Sequence, residues 1–258
     1  QRLAYADRDH YFGDPDEVDV PLGGLLDPAY LRQRARERFA PDAPPTPGDP
    51  GLVLRGEPVA GRWAPDTTEE APGTTHLSIV DGDGNAVSMT ATVESAFGSH
   101  RWAAGFLLNN EMTDFARDVP ADGSRPANAV TPGRRPRSSM SPTIVFDAAE
   151  ELLMVTGSPG GNSIPAYVAK TLLGILAWGM SAQEAVDYPN VIARGETVRV
   201  EISVEPGLSI AKALRARGYE VQEREGENSG LHVVVVRDTG LEGAADKRRE
   251  GTVRTLPP

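Results

Sequence analysis

"EEAPGTTHLSIVDGDGNAVSMTATVES", Glu69 to Ser95, decides how the chain is read. A proline-rich segment stops at Pro72-Gly73, and a strand pattern begins at once with Thr74. Locally this asks for nothing special, since Pro-Gly is a turn and threonine a good strand former. Leu77 and Ile79 share one face of a strand Thr74–Val80, and Val87, Met89, Ala91 and Val93 share one face of a strand Val87–Val93. A hairpin with Asp81 opposite Asn85 and Gly82-Asp83-Gly84 as its loop keeps both apolar sets on the same side, whereas a loop one residue longer would mismatch them. In that register Thr74 faces Thr92, His76 faces Thr90 and Ser78 faces Ser88. The second side of the hairpin is therefore lined with hydroxyls, a pattern that ordinarily marks a solvated face.

The totals narrow the function classes. A chain of 258 residues buries a sizeable core, as one large domain or two small ones. A net charge of −11 argues against nucleic acid or an anionic membrane surface as partner, and the cluster Arg134, Arg135 and Arg137 is too short for a nucleic-acid stripe. With no cysteine there is no disulfide, thiolate metal site or Cys nucleophile. No apolar run reaches the ~18 residues of a membrane span. The four histidines, His10, His76, His100 and His232, lack metal-ligand spacing, so no metal site and no cofactor are expected.

Along the chain, residues 1–40 read as a loop-rich segment followed by a helix opened by Asp27-Pro28. Residues 41–73 hold eight prolines and five glycines and read as a linker without regular elements. A second hairpin, Thr143–Phe146 with Leu152–Thr156, leads into a glycine-rich turn and the apolar helix of "SPGGNSIPAYVAKTLLGILAWGM". "SAQEAVDYPN", "ETVRVEIS", the helix "GLSIAKALRARG" and the strands "YEVQERE" and "LHVVVVRD" complete an α+β pattern of antiparallel sheets with helices outside.

Three stretches carry possible chemistry. Gly157-Ser158-Pro159-Gly160-Gly161 puts backbone N–H groups at a helix start, as a plain tight turn or as an oxyanion hole. Glu111 and Asp114 stand in the otherwise uncharged "LLNNEMTDF", as a polar loop or as carboxylates for a substrate ammonium. Ser138 and Ser139 in "RRPRSSMSPT" read as a strand entry or as paired hydroxyls for a carboxylate.

Taken in order, TTHLSIVDGDGNAVS, FGS, LLNNEMTDF, RPRSSMSPTIV and GSPGGNSI closely resemble the γ-glutamyltransferase (γ-glutamyltranspeptidase) family of N-terminal nucleophile hydrolases. "AYADRDHYFGDPDEVDVPLGGLLDPAYL" is similar to the end of that family's large subunit. The resemblance implies an αββα sandwich, incomplete here because most of the large subunit is absent. It divides the chain into the C-terminal part of the large subunit (1–40), a linker ending at an autocleavage site (41–73) and the small catalytic subunit (74–258). Cleavage between Gly73 and Thr74 would give Thr74 a free α-amine, unperturbed pKa about 7.7–8.0, as a base beside its own hydroxyl.

By the same resemblance Thr92 orients the nucleophile, and Gly160 and Gly161 form the oxyanion hole. Ser138 and Ser139 contact the substrate α-carboxylate, while Glu94, Glu111 and Asp114 hold its α-amino group. Glu94 stands where many members have Asn, Asn162-Ser163 where Ser-Arg is common, and "ADKRR", Ala245–Arg249, in place of a terminal Asp-Pro-Arg. These departures leave the nucleophile intact and bear on acceptor choice and γ-glutamyl specificity. The implied activity is γ-glutamyl transfer from, and hydrolysis of, compounds such as glutathione, with water, an amino acid or a peptide as acceptor. The missing large-subunit segment, carrying an arginine for the α-carboxylate, is the implied partner. A cephalosporin or glutaryl acylase of the same fold and a processed but inactive binding protein are the alternatives. The resemblance points to a periplasmic or secreted protein, with a cytoplasmic one left open.

Overall fold

The Asp81–Asn85 turn forms as the alternating pattern requires. The Asp81 N–H donates to the Asn85 carbonyl at 3.0 Å, and the Asp81 carboxylate collects the backbone N–H groups of Asp83 and Asn85 at 3.0 and 2.8 Å. This fixes strands β1 (Thr74–Val80) and β2 (Ala86–Thr92) with Thr74 opposite Thr92, His76 opposite Thr90 and Ser78 opposite Ser88. The computed structural model describes residues 1–37, 40–54, 56–59, 61–71, 73–117, 120 and 122–255. Pro72 of the linker and part of the 114–138 loop lie outside the described residues.

Helices α1 (Arg2–Tyr11), α2 (Leu22–Leu25), α3 (Pro28–Arg36) and α4 (Pro50–Leu54) precede the hairpin. Two of them correct the sequence reading. Helix α1 lies where a loop was expected, because its buried face is largely polar and carries no apolar period. Asp7 on that face accepts from Arg34 and Tyr30, and Arg2 donates to the carbonyls of Pro41 and Ala43. Helix α4 forms inside the linker: the Asp49 carboxylate accepts from the Gly51 N–H at 3.1 Å, just as Asp27 accepts from Ala29 at the start of α3.

After the small hairpin β3 (Trp102–Ala103) and β4 (Phe106–Leu107) come β5 (Thr143–Phe146) and β6 (Leu152–Gly157). Helices α5 (Ile164–Leu176) and α6 (Ala182–Asp187) follow, then β7 (Val191–Ala193) and β8 (Val198–Glu201). Helix α7 (Gly207–Ala216) and strands β9 (Val221–Arg224), β10 (His232–Arg237) and β11 (Gly240–Ala245) close the chain. The main sheet is antiparallel in the order β11-β10-β6-β5; β11 is a strand that glycine-rich "GLEGAA" did not announce. A separate sheet pairs β7 with β8 antiparallel and β8 with β9 parallel, across α7. No helix among the described residues is long and apolar enough to cross a membrane.

Alternation along β6 and β10 builds the layers. Met154, Val233 and Val235 point to one face and pack with Ala166, Tyr167, Ile175 and Val186 of α5 and α6. Gly157 and its partner His232 point to the opposite face, where the β1–β2 hairpin lies. The hydroxyl-lined side of the hairpin is the inner one: Ser88 Oγ donates to the Thr156 carbonyl at 2.9 Å, and the His76 ring bonds to Thr90 Oγ1 at 2.8 Å. Leu77, Ile79, Val87 and Met89 form the exposed outer side. The solvated hydroxyl face expected from alternation alone is thus inverted, because helix, sheet and hairpin stack with polar groups at the second junction.

Gly157 sets that junction's spacing, since a Cβ there would lie 2.2 Å from His76 Cε1. Gly157→Ala should push the hairpin off the sheet and lower stability by about 1–3 kcal/mol, the range for overpacking, read as a fall in Tm. An unchanged Tm would mean that the hairpin is not seated through this contact.

Candidate active site

Thr74 is the first residue of β1 and is buried, with its hydroxyl donating to Thr92 Oγ1 at 3.2 Å. Thr92 Oγ1 also accepts the Glu94 N–H at 2.9 Å, a local turn that fixes the Thr92 rotamer as β2 ends. Glu94 pays for that turn with a φ of 74°, a left-handed conformation that a residue with a long side chain adopts only under constraint. Gly73 sits directly on this bend: a Cβ would lie 1.9 Å from the Glu94 carbonyl oxygen, so only glycine fits before Thr74. On the other side Arg249 donates to the Thr74 carbonyl and the Asn228 carbonyl, each at 3.0 Å.

Glu94, Glu111 and Asp114 come together, each offering a carboxylate oxygen within 4.8 Å of the others. Glu111 and Asp114 bracket a 3₁₀ turn, Glu111–Asp114, which folds back toward the Glu94 bend. The Asn110 N–H donates to the Val93 carbonyl at 3.2 Å, and the Asn110 side chain bonds both the N–H and the hydroxyl of Ser95 at 3.0 Å. Asp114 is buried, and its Oδ1 has no hydrogen-bond partner among the described residues. Burial, then the carboxylates of Glu70, Glu94 and Glu111, push Asp114 up to about 9, and burial with Glu94 and Glu70 also raises Glu111. Near neutral pH Asp114 therefore keeps its proton. A cation entering the cluster would take over that proton's electrostatic role.

Ser138 and Ser139 diverge. Ser138 is exposed and its Oγ accepts from the Met140 N–H, whereas Ser139 is buried and its N–H donates to Glu70 Oε2 at 3.1 Å. Gly160 and Gly161 have φ values of 139° and 55°, and a Cβ on Gly161 would lie 2.4 Å from the Glu70 carbonyl. The glycine turn therefore faces the linker at Glu70 and Ala71, just before Thr74 in the chain. Asn162, the departure from the common Ser-Arg, donates to the Thr68 carbonyl and to Glu69 Oε2. His76 is held below its ordinary value, at about 4, by burial and then by His232, so it is neutral and serves packing.

Sequence reasoning missed Arg8, Asp66, Glu70 and Asn128. Asn128 Nδ2 reaches both Asp66 Oδ2 and the Asp114 carbonyl, and its Oδ1 takes the Arg137 N–H, so one amide joins the linker, the acidic turn and the serine loop. The one available signal was three acids, Asp66, Glu69 and Glu70, with no basic residue among them in the short run that leads up to Thr74.

The raised Asp114 value sets a sign for stability. Between about pH 4 and pH 9 the unfolded chain has lost a proton that the folded chain keeps, so this group lowers stability as pH rises through that window. Asp114→Asn should raise Tm near pH 8 more than near pH 5, measured by thermal denaturation of uncut protein. An equal change at both pH values would show that Asp114 titrates normally.

Residues 1–256 match the Gamma-glutamyltranspeptidase family. The chain is 38% identical over 257 residues to a glutathione hydrolase proenzyme from Escherichia coli (strain K12), covering 96% of this chain and 42% of that protein. It thus spans less than half the length of that relative. A γ-glutamyltranspeptidase from Pseudomonas nitroreducens complexed with L-DON has a solved chain that aligns with a TM-score of 0.62 and 34% identity, over 71% of this chain and 100% of that one. A cephalosporin acylase from Bacillus halodurans aligns with a TM-score of 0.79 and 25% identity, over 100% of this chain and 44% of that one. On the ordered motifs, the fold and these matches, the chain belongs to the γ-glutamyltranspeptidase family.

Proposed function

We propose that this chain carries the autocleavage junction and catalytic residues of a γ-glutamyltransferase that hydrolyses or transfers γ-glutamyl amides such as glutathione. The observation that carries this reading is the Thr74 hydroxyl, paired with Thr92 Oγ1 directly after a glycine that only glycine can replace. In self-cleavage Thr74 Oγ1 attacks the Gly73 carbonyl, the C–N bond breaks, and the hydroxyl proton ends on the released amine; water then hydrolyses the ester. Residues 74–258 number 185, close to the 71% of this chain that aligns with the whole of a solved γ-glutamyltranspeptidase chain. That agreement supports a cut at Thr74.

In turnover the α-amine of Thr74 takes the proton from its own hydroxyl as the oxygen attacks the donor's γ-carbonyl. The oxyanion is assigned to the Gly160 and Gly161 amides, worth a few kcal/mol of transition-state stabilisation. The leaving amine departs with the proton, and water, an amino acid or a peptide takes the acyl group. Glu94, Glu111 and Asp114 receive the donor's α-ammonium, and Ser138 and Ser139 its α-carboxylate. The exposed apolar outer side of the hairpin, Leu77, Ile79, Val87 and Met89, is assigned as the seat of the remaining large-subunit segment, in keeping with the greater length of the relatives.

The alignment with a cephalosporin acylase over the whole chain favours acylase chemistry as a second reading. The acidic cluster argues for γ-glutamyl donors, because a glutaryl group lacks the ammonium that three carboxylates would hold.

Three outcomes test the assignment. Thr74→Ala should leave the full-length protein uncut, with mass spectrometry otherwise finding a new N-terminus Thr-Thr-His. Asp114→Ala should cost about 2–5 kcal/mol in kcat/KM for a γ-glutamyl anilide and far less for a glutaryl anilide; equal losses would reduce Asp114 to a structural acid. Thr92→Ala should slow both cutting and turnover by ~10²-fold or more, with Thr92→Ser recovering much of the rate and Thr92→Val little. If Val performs as well as Ser, the Thr92 hydroxyl has no role.

A further inference from the structure

The first part of the linker packs through Val53, Val59 and Trp63 on Tyr11, Leu25 and Tyr30, whereas its last stretch before Thr74, from Asp66 to Glu70, is held by charge. Its three buried or bridging acids each meet an arginine from elsewhere in the chain. Glu70 Oε1 lies 2.7 Å from Arg8 NH2, Asp66 Oδ2 lies 3.1 Å from Arg137 NH1, and Glu69 Oε1 lies 2.9 Å from Arg194 NH1. Among the described residues outside the linker, the carboxylate shared by these arginines is that of Asp9, at 3.1, 3.4 and 3.0 Å from Arg8, Arg137 and Arg194. When the linker leaves, three guanidinium groups face one carboxylate.

Of these three acids, Glu70 is the one that also reaches Ser139 of the proposed donor site. Its Oε2 takes the Ser139 N–H at 3.1 Å, while Arg8 NH2 also donates to Ser139 Oγ at 2.5 Å. The next residue of the linker approaches the opposite, acidic side: the Ala71 N–H donates to Glu94 Oε1 at 2.7 Å. Adjacent linker residues thus present a carboxylate to Arg8 and Ser139 and an N–H donor to Glu94. An α-amino acid offers the same two groups on a single carbon. Both guanidinium groups are nearly sealed, with side chains 9% and 2% exposed for Arg8 and Arg137. A buried cation left without its counter-ion is unfavourable, so the vacated place favours another anion.

We infer that Arg8 and the Ser139 amide form a carboxylate cradle, which Glu70 fills in the uncut chain and which the donor's α-carboxylate takes over once the linker has left. The linker is then an internal stand-in for the donor, and the uncut protein cannot bind donor while Glu70 is in place. Arg8 is a binding residue for the donor carboxylate. This inference rests on the reading above that Ser139 belongs to the donor site.

An arginine-selective dicarbonyl reagent, with modified peptides mapped by mass spectrometry, tests it in the full-length protein without requiring turnover. Arg8 should be protected in uncut Thr74→Ala protein and modified about tenfold faster or more in Thr74→Ala with Glu70→Ala and in cut wild-type protein, the scale of losing a hydrogen bond to a charged group. In cut protein L-glutamine, which has the α-carboxylate, should restore protection, whereas 4-aminobutyramide, which lacks it, should not. Equal reactivity of Arg8 in all three proteins, or equal effects of the two ligands, would overturn the cradle. Arg8→Gln supplies a second readout: it should lower kcat/KM for a γ-glutamyl anilide about tenfold or more while sparing a 4-aminobutyryl anilide. Equal losses on both donors would leave Arg8 a structural residue. Failure of all γ-glutamyl turnover in a protein whose Arg8 is protected as stated would reject the proposed activity and not the cradle.

Discussion

The pairing of Thr74 with Thr92 is the constraint on which the rest of the site depends. A threonine hydroxyl is a weak nucleophile, and its reactivity requires one rotamer aimed at one carbonyl. The hairpin supplies that aim through backbone register, set eighteen residues apart by the Asp81 turn and locked where Glu94 bonds back to Thr92. The left-handed bend at Glu94 has a second effect. It turns the Glu94 carboxylate toward Asp114 and Glu111 and opens the slot that Gly73 fills. One strained residue thus shapes the threonine pair, the acidic cluster and the junction before Thr74.

Electrostatics divides the site into two halves. The acidic half concentrates three carboxylates with too little compensation, so one of them holds a proton until a cation arrives. The basic half concentrates Arg8 and Arg137, where burial and the neighbouring Arg8 pull Arg137 below its ordinary value. The linker spans both halves, with Glu70 among the arginines and the Ala71 N–H on Glu94. The two halves have opposite charge, and together they suit a zwitterion. The local cost of ordering such charges is offset by the well-packed sheet behind them, where Met154, Val155, Val233 and Val235 are all fully buried.

Polar burial also explains the inverted hairpin. Ser78 and Ser88 donate to the His232 and Thr156 carbonyls of the sheet, and His76 bonds Thr90 within the hairpin, while Leu77, Ile79, Val87 and Met89 face outward. A contiguous apolar strand face of this kind is an uncommon feature of a free surface. The same strands therefore present their hydrogen-bonding side to the main sheet and their apolar side outward.

Register was legible in the residues because strand alternation has a period of two and one loop length alone brings the odd-numbered apolar sets together. The strands β5, β6 and β10 and the helix α5 were legible for the same reason, as uninterrupted apolar patterns of the right length. The candidate residues Thr74, Thr92, Glu94, Glu111, Asp114, Gly160 and Gly161 came from ordered motifs, not from periodicity. Helix α1 escaped because its buried face mixes Tyr5 and Tyr11 with Arg2, Asp7, Arg8 and His10, and the burial of Arg2, Asp7 and Arg8 depends on partners far along the chain. The roles of the two hairpin faces, the separation of Ser138 from Ser139, and the arginine-bound linker were decided by tertiary structure alone. A charged or hydroxyl side chain is buried only where distant groups satisfy it, and no local pattern in the sequence encodes where those groups will meet.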